Sequence, residues 1–431
     1  MASKSNFSVV LDIGTSKMVA VAGYKNDSGN LEIAGASKTV SKGIRRGVVF
    51  NIEEVAACVK QVLAELESKV QEKITKVSVA YSGQHFKTVS YRGTKITSDE
   101  GVVSQFDIDH LFNEAKKAEI EAGYQIIEVI PGSFVIDGEA ELNPVGITGR
   151  NIVANYKLVI CPEEYLLNIE RVFDRVGIEL GEIKLSSLAV SEAVITEDEK
   201  ELGVIVLDIG AGTTNFAVFH ENELIQTGVV PFGGEVVTRD IKEGCSILLK
   251  WAEQLKVQYG QALGDFADDQ KVVTIPSYNG WEPKEISFKS LAFIIQARVE
   301  EIVEHVFKQI EKAENHYQMR AGVVITGGTS NLDNIVSLVK FRSGMDVRKA
   351  NLVIHFNQKN KEILNAENYT ALGLLKIVLE KTTTPETVVK KVKKEKKKKE
   401  SSGGGLSPWF NKVVQGVLDM VDDDNEDVAM N

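Results

Sequence analysis

Val204-Ile205-Val206-Leu207-Asp208-Ile209-Gly210-Ala211-Gly212-Thr213-Thr214-Asn215 reads as a strand that ends on an aspartate and breaks into a glycine turn. The same pattern stands near the start of the chain, where residues 7–11 lead into Asp12-Ile13-Gly14-Thr15-Ser16-Lys17. Strand-like runs resume after each turn, at residues 18–24 and 216–219. One such turn is an ordinary corner. Two at equivalent places suggest a duplicated sheet unit whose two lobes close on one phosphate group from opposite sides.

A tight turn after a strand exposes successive backbone N–H groups, and Gly14, Gly210 and Gly212 allow the dihedrals and the close approach that an anion needs. The hydroxyls of Thr15, Ser16, Thr213 and Thr214 can add donors, and Lys17 can place positive charge on a terminal phosphate. Asp12 and Asp208 end their strands where a pair of carboxylates could hold a hydrated magnesium ion through its waters. A third turn, Thr326-Gly327-Gly328-Thr329-Ser330, follows a strand at 322–325 and would carry the sugar and base side of a nucleotide. Neither a Gly-x-x-x-x-Gly-Lys-Ser/Thr loop nor a Gly-x-Gly-x-x-Gly helix opening is present, which disfavours the commonest ATPase and dinucleotide folds.

The remaining sequence bounds the answer. With 431 residues and 43% hydrophobic content, the chain can fill more than one core, so two to four domains are expected. A net charge of -11 argues against nucleic acid as the main partner. Cys58, Cys161 and Cys245 are odd in number and lack metal-ligand spacing, which fits buried thiols in a reducing compartment. The six histidines show no ligand spacing either. No charged-then-apolar leader and no run of about 18 apolar residues is found, so the expectation is a protein that neither is secreted nor spans a bilayer.

Between the two turn units, residues 52–66 carry apolar side chains at three- and four-residue steps, a helix laid on the first sheet, and 77–81 returns to strand. Residues 87–161 differ in texture: a helix at 107–122 and short strands at 124–131, 133–136 and 155–160 suggest a small inserted α+β subdomain. A helix opening with Pro162 and a strand at 183–186 follow. After the second turn come a strand at 223–228, a long mostly helical stretch at 234–260, one helix at 290–315, a helix at 332–340 that starts at the third turn, and a last helix at 369–379.

Beyond these the material changes. Eight lysines between Lys390 and Lys399 stand in a segment with almost no apolar content, so it builds no core. Gly403–Gly405 then free the chain before Ser407-Pro408, a good helix start. Trp409, Phe410, Val413, Val414, Val417 and Leu418 form one apolar stripe suited to lying in a membrane surface. Lys412 is the only basic residue in that helix and an acidic tail follows it; the upstream lysines would compensate, each worth on the order of 1 kcal/mol near anionic lipid.

These residues together resemble the actin-like ATPase superfamily and, within it, the FtsA family of bacterial cell-division proteins, over residues 7–379 and again in the terminal helix. The resemblance implies an α/β actin-like fold, two lobes of RNase H-like sheets flanked by helices, with an inserted 1C subdomain. The partition it implies is 1–86 with 163–202 as subdomain 1A, 87–162 as 1C, 203–236 with 321–380 as 2A, and 237–320 as 2B. Residues 381–406 would be a flexible linker, 407–421 the membrane-targeting helix and 422–431 the tail. It also implies ATP and magnesium as cofactors, with Gly234, Glu253 and Lys256 around the sugar and base. Implied partners are the C-terminal peptide of the tubulin-like FtsZ, further copies of the chain in a filament, other division proteins and the lipid surface on the cytoplasmic side of the inner membrane at the division site.

One departure bears on mechanism. Related filament proteins often place an acidic or amide residue early in the segment matching 185–193, near the attacking water; here Ser186 and Ser187 stand there, and a hydroxyl is a poor base. Glu192, the nearest carboxylate, reads as structural. No catalytic residue is therefore assigned, and slow hydrolysis is expected. The alternatives are an actin-fold small-molecule kinase and a pilus-assembly or cell-shape filament protein; the insertion at 87–162 argues against the latter.

Overall fold

The computed structural model describes residues 7–98, 100–276, 282–311, 318–356 and 363–382. The lysine-rich segment and the stripe from Trp409 to Leu418 lie outside the described residues.

Strands β1 (Ser8–Ile13), β2 (Lys17–Lys25) and β3 (Leu31–Val40) form an antiparallel meander. A small hairpin, β4 (Ile44–Arg45) and β5 (Val48–Val49), leads to α1 (Ile52–Val70) and then β6 (Lys76–Tyr81), parallel to β1. The apolar stripe of α1, from Val55 to Leu66, is fully buried against the sheet. Asn51 caps the helix by accepting from the Glu54 N–H at 3.2 Å.

The chain then leaves to build a separate layer: β7 (Lys87–Ile96), α2 (Gln105–Ala115), β8 (Tyr124–Ile136), β9 (Glu139–Glu141) and β10 (Asn151–Pro162). Its four strands run in the order β7-β10-β8-β9 over a core of their own, including Leu111, Ile152 and Leu158. Here the sequence expectation needs correction. The helix stops at Ala115, well short of residue 122, and residues 124–136 are one strand whose register shifts where Pro131 pairs with Tyr156. The proline interrupts the ladder without ending the strand.

The first lobe is completed by α3 (Glu163–Val176) and β11 (Glu179–Leu185), the latter parallel to β6. Pro162 closes β10 and stands at the cap position of α3, so the helix opens one residue later than its proline suggested. Two short helices, α4 (Ser186–Val194) and α5 (Glu197–Leu202), carry the chain across. The second lobe repeats the first: β12 (Val204–Ile209), β13 (Thr214–His220) and β14 (Glu223–Val230) form the meander. Next come α6 (Gly234–Cys245), α7 (Leu249–Tyr259), the hairpin β15 (Val272–Ile275) with β16 (Lys284–Ser287), and α8 (Phe288–Glu311). Strand β17 (Gly322–Thr326), α9 (Ile335–Ser343), β18 (Val347–Lys349) and α10 (Tyr369–Thr382) end the described chain.

The two sheets have matching strand orders, β3-β2-β1-β6-β11 and β14-β13-β12-β17-β18. Between them lies a core shared by both lobes, in which Ala189, Val190 and Ala193 of α4 and Leu372 and Leu375 of α10 meet Val10 and Val21 on one side and Val206 and Ala217 on the other. All three cysteines are buried and unpaired. The helical stretch expected at 234–260 is two helices, broken where Ser246 takes a left-handed conformation at φ 47°.

A buried ion pair ties the inserted layer to the first sheet. Lys184 on β11 bonds to Glu128 on β8, with side chains only 10% and 13% exposed, and the other Glu128 oxygen has no partner. Removing one member strands a charge, whereas replacing both by apolar groups does not. Lys184→Met should lower stability by about 3 kcal/mol, and adding Glu128→Leu should restore most of it. Urea denaturation of the three proteins checks this: equal losses in the single and double variants would remove the pair from the account.

Candidate nucleotide site

Asp12 and Asp208 hold the same position in their lobes, next to last in β1 and β12. The turn after each aspartate faces a single cleft of about 880 Å³, and the third turn opens on it as well. The cleft is lined by Asp12, Gly14, Thr15, Ser16, Lys17, Asp208, Gly210, Gly212, Thr213, Asn215, Gly234, Glu253, Lys256, Gly327, Gly328 and Thr329. Of the residues anticipated from sequence, only Thr214 is not on this surface. Its hydroxyl is turned inward and donates to the Phe232 carbonyl at 2.9 Å, because Thr214 already belongs to β13 and its side chain is buried.

The second-lobe turn is held by its carbonyls. Gly210 O accepts from the Gly234 N–H and the Thr329 hydroxyl, both at 2.9 Å, and Ala211 O accepts from the Glu235 N–H at 2.8 Å. The N–H groups of Ala211, Gly212 and Thr213 make no hydrogen bond among the described residues. Unspent, closely spaced N–H donors on a rigid turn suit phosphate oxygens.

The two turns touch. A Cβ on Gly212 would stand 2.5 Å from Thr15 Oγ1, so only glycine allows this approach. Thr15 Oγ1 also accepts from the Gly47 N–H at 3.2 Å, which fixes it from the β4–β5 hairpin. Gly327, at φ 86°, brings the third turn against Asp208: a Cβ there would lie 2.5 Å from its Oδ1.

Burial pushes both aspartates far above their usual range, Asp12 from 3.8 to about 7 and Asp208 from 3.8 to about 6. Asp208 further raises Asp12, and Lys17 pulls both down. The cross-strand neighbour of Asp208, Asn215, donates Nδ2 to its Oδ2 at 3.2 Å and draws it down, whereas Asp12 faces Val19. Two under-neutralised carboxylates next to unspent N–H groups fit a divalent cation held with a phosphate chain. Such an ion keeps most of its waters and needs only one or two carboxylates. Among the described residues no three His, Cys, Asp or Glu side chains gather closely enough to hold a metal by themselves.

Lys256 Nζ is gripped by Glu253 at 2.8 Å, Thr238 at 2.9 Å and the Gly234 carbonyl at 3.0 Å. Glu253 and Lys256 therefore form one fixed polar wall with α6. Ser186, the first residue of α4, also lines the cleft, and its hydroxyl is buried without a partner. Glu192 is structural, held by Lys200 at 2.8 Å and Lys376 at 2.7 Å. Sequence reasoning missed Thr238, one helical turn from Gly234, and Glu367, which pairs with Lys17 at 2.6 Å. The first carried a spacing signal along α6; the second carried none. A second cavity of about 760 Å³, whose lining includes Arg45, Arg46 and Arg239, shares Gly212 with this cleft and contains neither aspartate.

Comparison with known proteins decides the family. The chain is 32% identical to the cell division protein FtsA of Pseudomonas aeruginosa over 376 residues, covering 86% of this chain and 89% of the other. This chain belongs to the FtsA family of cell-division proteins. The FtsA of Escherichia coli is likewise 32% identical, over 76% of this chain and 80% of its own length. The family model "Cell division protein FtsA" matches residues 205–373, and "SHS2 domain inserted in FTSA" matches 83–160, the region of the four-stranded layer. Two solved structures share the fold of this FtsA relative. The PilM-PilN type IV pilus biogenesis complex has a TM-score of 0.59 at 15% identity, covering 86% of this chain and 98% of that one. MreB5 of Spiroplasma citri bound to ADP has a TM-score of 0.52 at 15% identity, covering 89% and 99%. The actin-like fold that the resemblance implied is thereby established.

The raised aspartates give a pH signature. A carboxyl whose folded pKa exceeds its unfolded one contributes stability at low pH that is lost as pH rises through the folded value. From Asp12 and Asp208 the loss runs from about 3.8 to about 7. Asp12→Asn should therefore stabilise the nucleotide-free protein at about pH 8 and matter little at about pH 4. Thermal melts at both values check it, and an equal shift at both would contradict the buried-charge assignment.

Proposed function

We propose that this FtsA-family chain is a membrane-associated, ATP-binding, actin-like scaffold that polymerises and tethers FtsZ filaments to the cytoplasmic face of the inner membrane at the division site. One observation carries the nucleotide part: two glycine turns from two lobes, each with an aspartate behind it, open on one cleft and touch through Thr15 and Gly212. Asp12 and Asp208 would hold magnesium through water, and the ion would neutralise phosphate charge. The turn N–H groups, Thr15, Ser16, Thr213 and Lys17 would take the phosphates. Gly234, Glu253, Lys256, Gly327, Gly328 and Thr329 would border the sugar and base. A fold neighbour that holds ADP supports this reading.

Ser186 offers only a hydroxyl and Glu192 is committed to two lysines, so neither residue serves to activate water. Nucleotide then acts chiefly as a clamp on lobe closure, and through it on self-association.

Among the described residues no helix is long and apolar enough to cross a membrane. The tether is assigned to residues 407–421, whose stripe of Trp409, Phe410, Val413, Val414, Val417 and Leu418 suits the headgroup layer. The FtsZ peptide is the partner that membership of this family favours. Both assignments are tested by sedimentation with anionic vesicles and FtsZ polymers. The full chain should carry FtsZ into the pellet, and a chain lacking residues 406–431 should leave both proteins in the supernatant while still binding ATP. Equal pelleting by the shortened chain would remove the tether.

A further inference from the structure

Lys17 is the cation of the first phosphate turn, and its ammonium is already engaged. Nζ lies 2.6 Å from Glu367 Oε2, with the two side chains 27% and 44% exposed, and both residues line the cleft. Glu367 comes from the opposite end of the sequence. It sits on the turn Ala366–Asn368 that opens α10, and this turn is firmly pinned. Asn365 Oδ1 accepts from the Glu367 N–H at 3.2 Å and from Asn368 Nδ2 at 3.0 Å, and Asn368 Nδ2 also reaches the Ile363 carbonyl at 3.1 Å. Lys17, helped by Lys38, holds the Glu367 carboxyl below its usual range.

The charge balance makes this pairing consequential. Lys17 faces three carboxylates: it draws down both Asp12 and Asp208 and bonds directly to Glu367. Lys256, another ammonium that lines the cleft, is held in its own cage by Glu253, Thr238 and Gly234. Glu367 does not join the aspartates in a metal-binding group. Among the described residues the one side-chain hydrogen bond of Glu367 is to Lys17, so its effect on a ligand runs chiefly through that lysine.

Taking the cleft as a nucleotide site, we infer that Glu367 is an internal competitor for the charge of Lys17, a positioning residue against which an incoming phosphate chain must compete and that thereby lowers the affinity for nucleotide. A carboxylate and a phosphate oxygen both draw on the single positive charge of an ammonium, so a lysine already neutralised by one holds the other less strongly. The ion pair is partly solvated, which keeps the competition modest and reversible. Its location also links phosphate binding to the base of α10, the helix that shares the core between the lobes.

The test measures MgATP affinity by calorimetry for the wild type, Glu367→Gln, Lys17→Ala and the double variant, with Glu367→Ala as a second removal of charge. Glu367→Gln and Glu367→Ala should each bind ATP about threefold to tenfold more tightly than wild type, the size expected when a partly exposed ion pair to Lys17 is removed. In the Lys17→Ala background the same change should alter affinity less than about twofold. Unchanged or weaker binding in both Glu367 variants overturns the inference, as does an equal gain with and without Lys17. Gly210→Asp distinguishes this from failure of the site itself: if it binds ATP as wild type does, or if the wild type binds none, the nucleotide reading falls and the inference with it.

Discussion

The contact between Thr15 and the bare Cα of Gly212 is the constraint on which the rest depends. Two sheets of like topology could sit at many separations, but a phosphate clamp needs their first turns within one ligand's reach. The absent Cβ at Gly212 allows that distance, and a side chain there would collide with Thr15 at 2.5 Å. Everything behind the contact serves to hold it. The Gly47 N–H fixes Thr15 from the first lobe, while Gly234, Glu235 and Thr329 fix the Gly210–Ala211 carbonyls from the second. The core shared by α4 and α10 sets the spacing of the sheets themselves.

The electrostatics follow from the same geometry. Bringing equivalent strand ends together brings their aspartates together, partly desolvated by the protein around them. The result is a pair of carboxyls raised to about 7 and about 6, a cost that a divalent cation with phosphate would offset. Folding alone does not need these charges; hydrophobic residues would pack there more cheaply. In the proposed function, this is where the fold gives up stability for binding. Ser186 Oγ and Asn215 Oδ1, buried without partners and lining the same cleft, add to that cost.

Much of this was legible in the residues. The Asp-Ile-Gly turns could be read because a glycine corner after an apolar strand is a local signal, and its repetition supplied the pairing of lobes. The buried stripe of α1 followed from its periodicity. What was illegible depended on tertiary context. Nothing local marks Ser246 as the left-handed residue that splits α6 from α7, and nothing in residues 116–122 ends α2 where it ends. Thr214 looked like a phosphate donor because it follows Thr213, yet the strand begins at that residue and turns its hydroxyl away. The Lys17–Glu367 pair joins opposite ends of the chain and has no signature in spacing at all.

The central claim is that two turns from two lobes grip one phosphate chain. Hydrogen exchange resolved to individual amides, at residues 14–17 and 211–213, tests it directly in the presence and absence of MgATP. Both sets of amides should slow together, over the same range of ATP concentration. Slowing confined to one turn, or absent from both while ATP is bound elsewhere, would contradict the clamp.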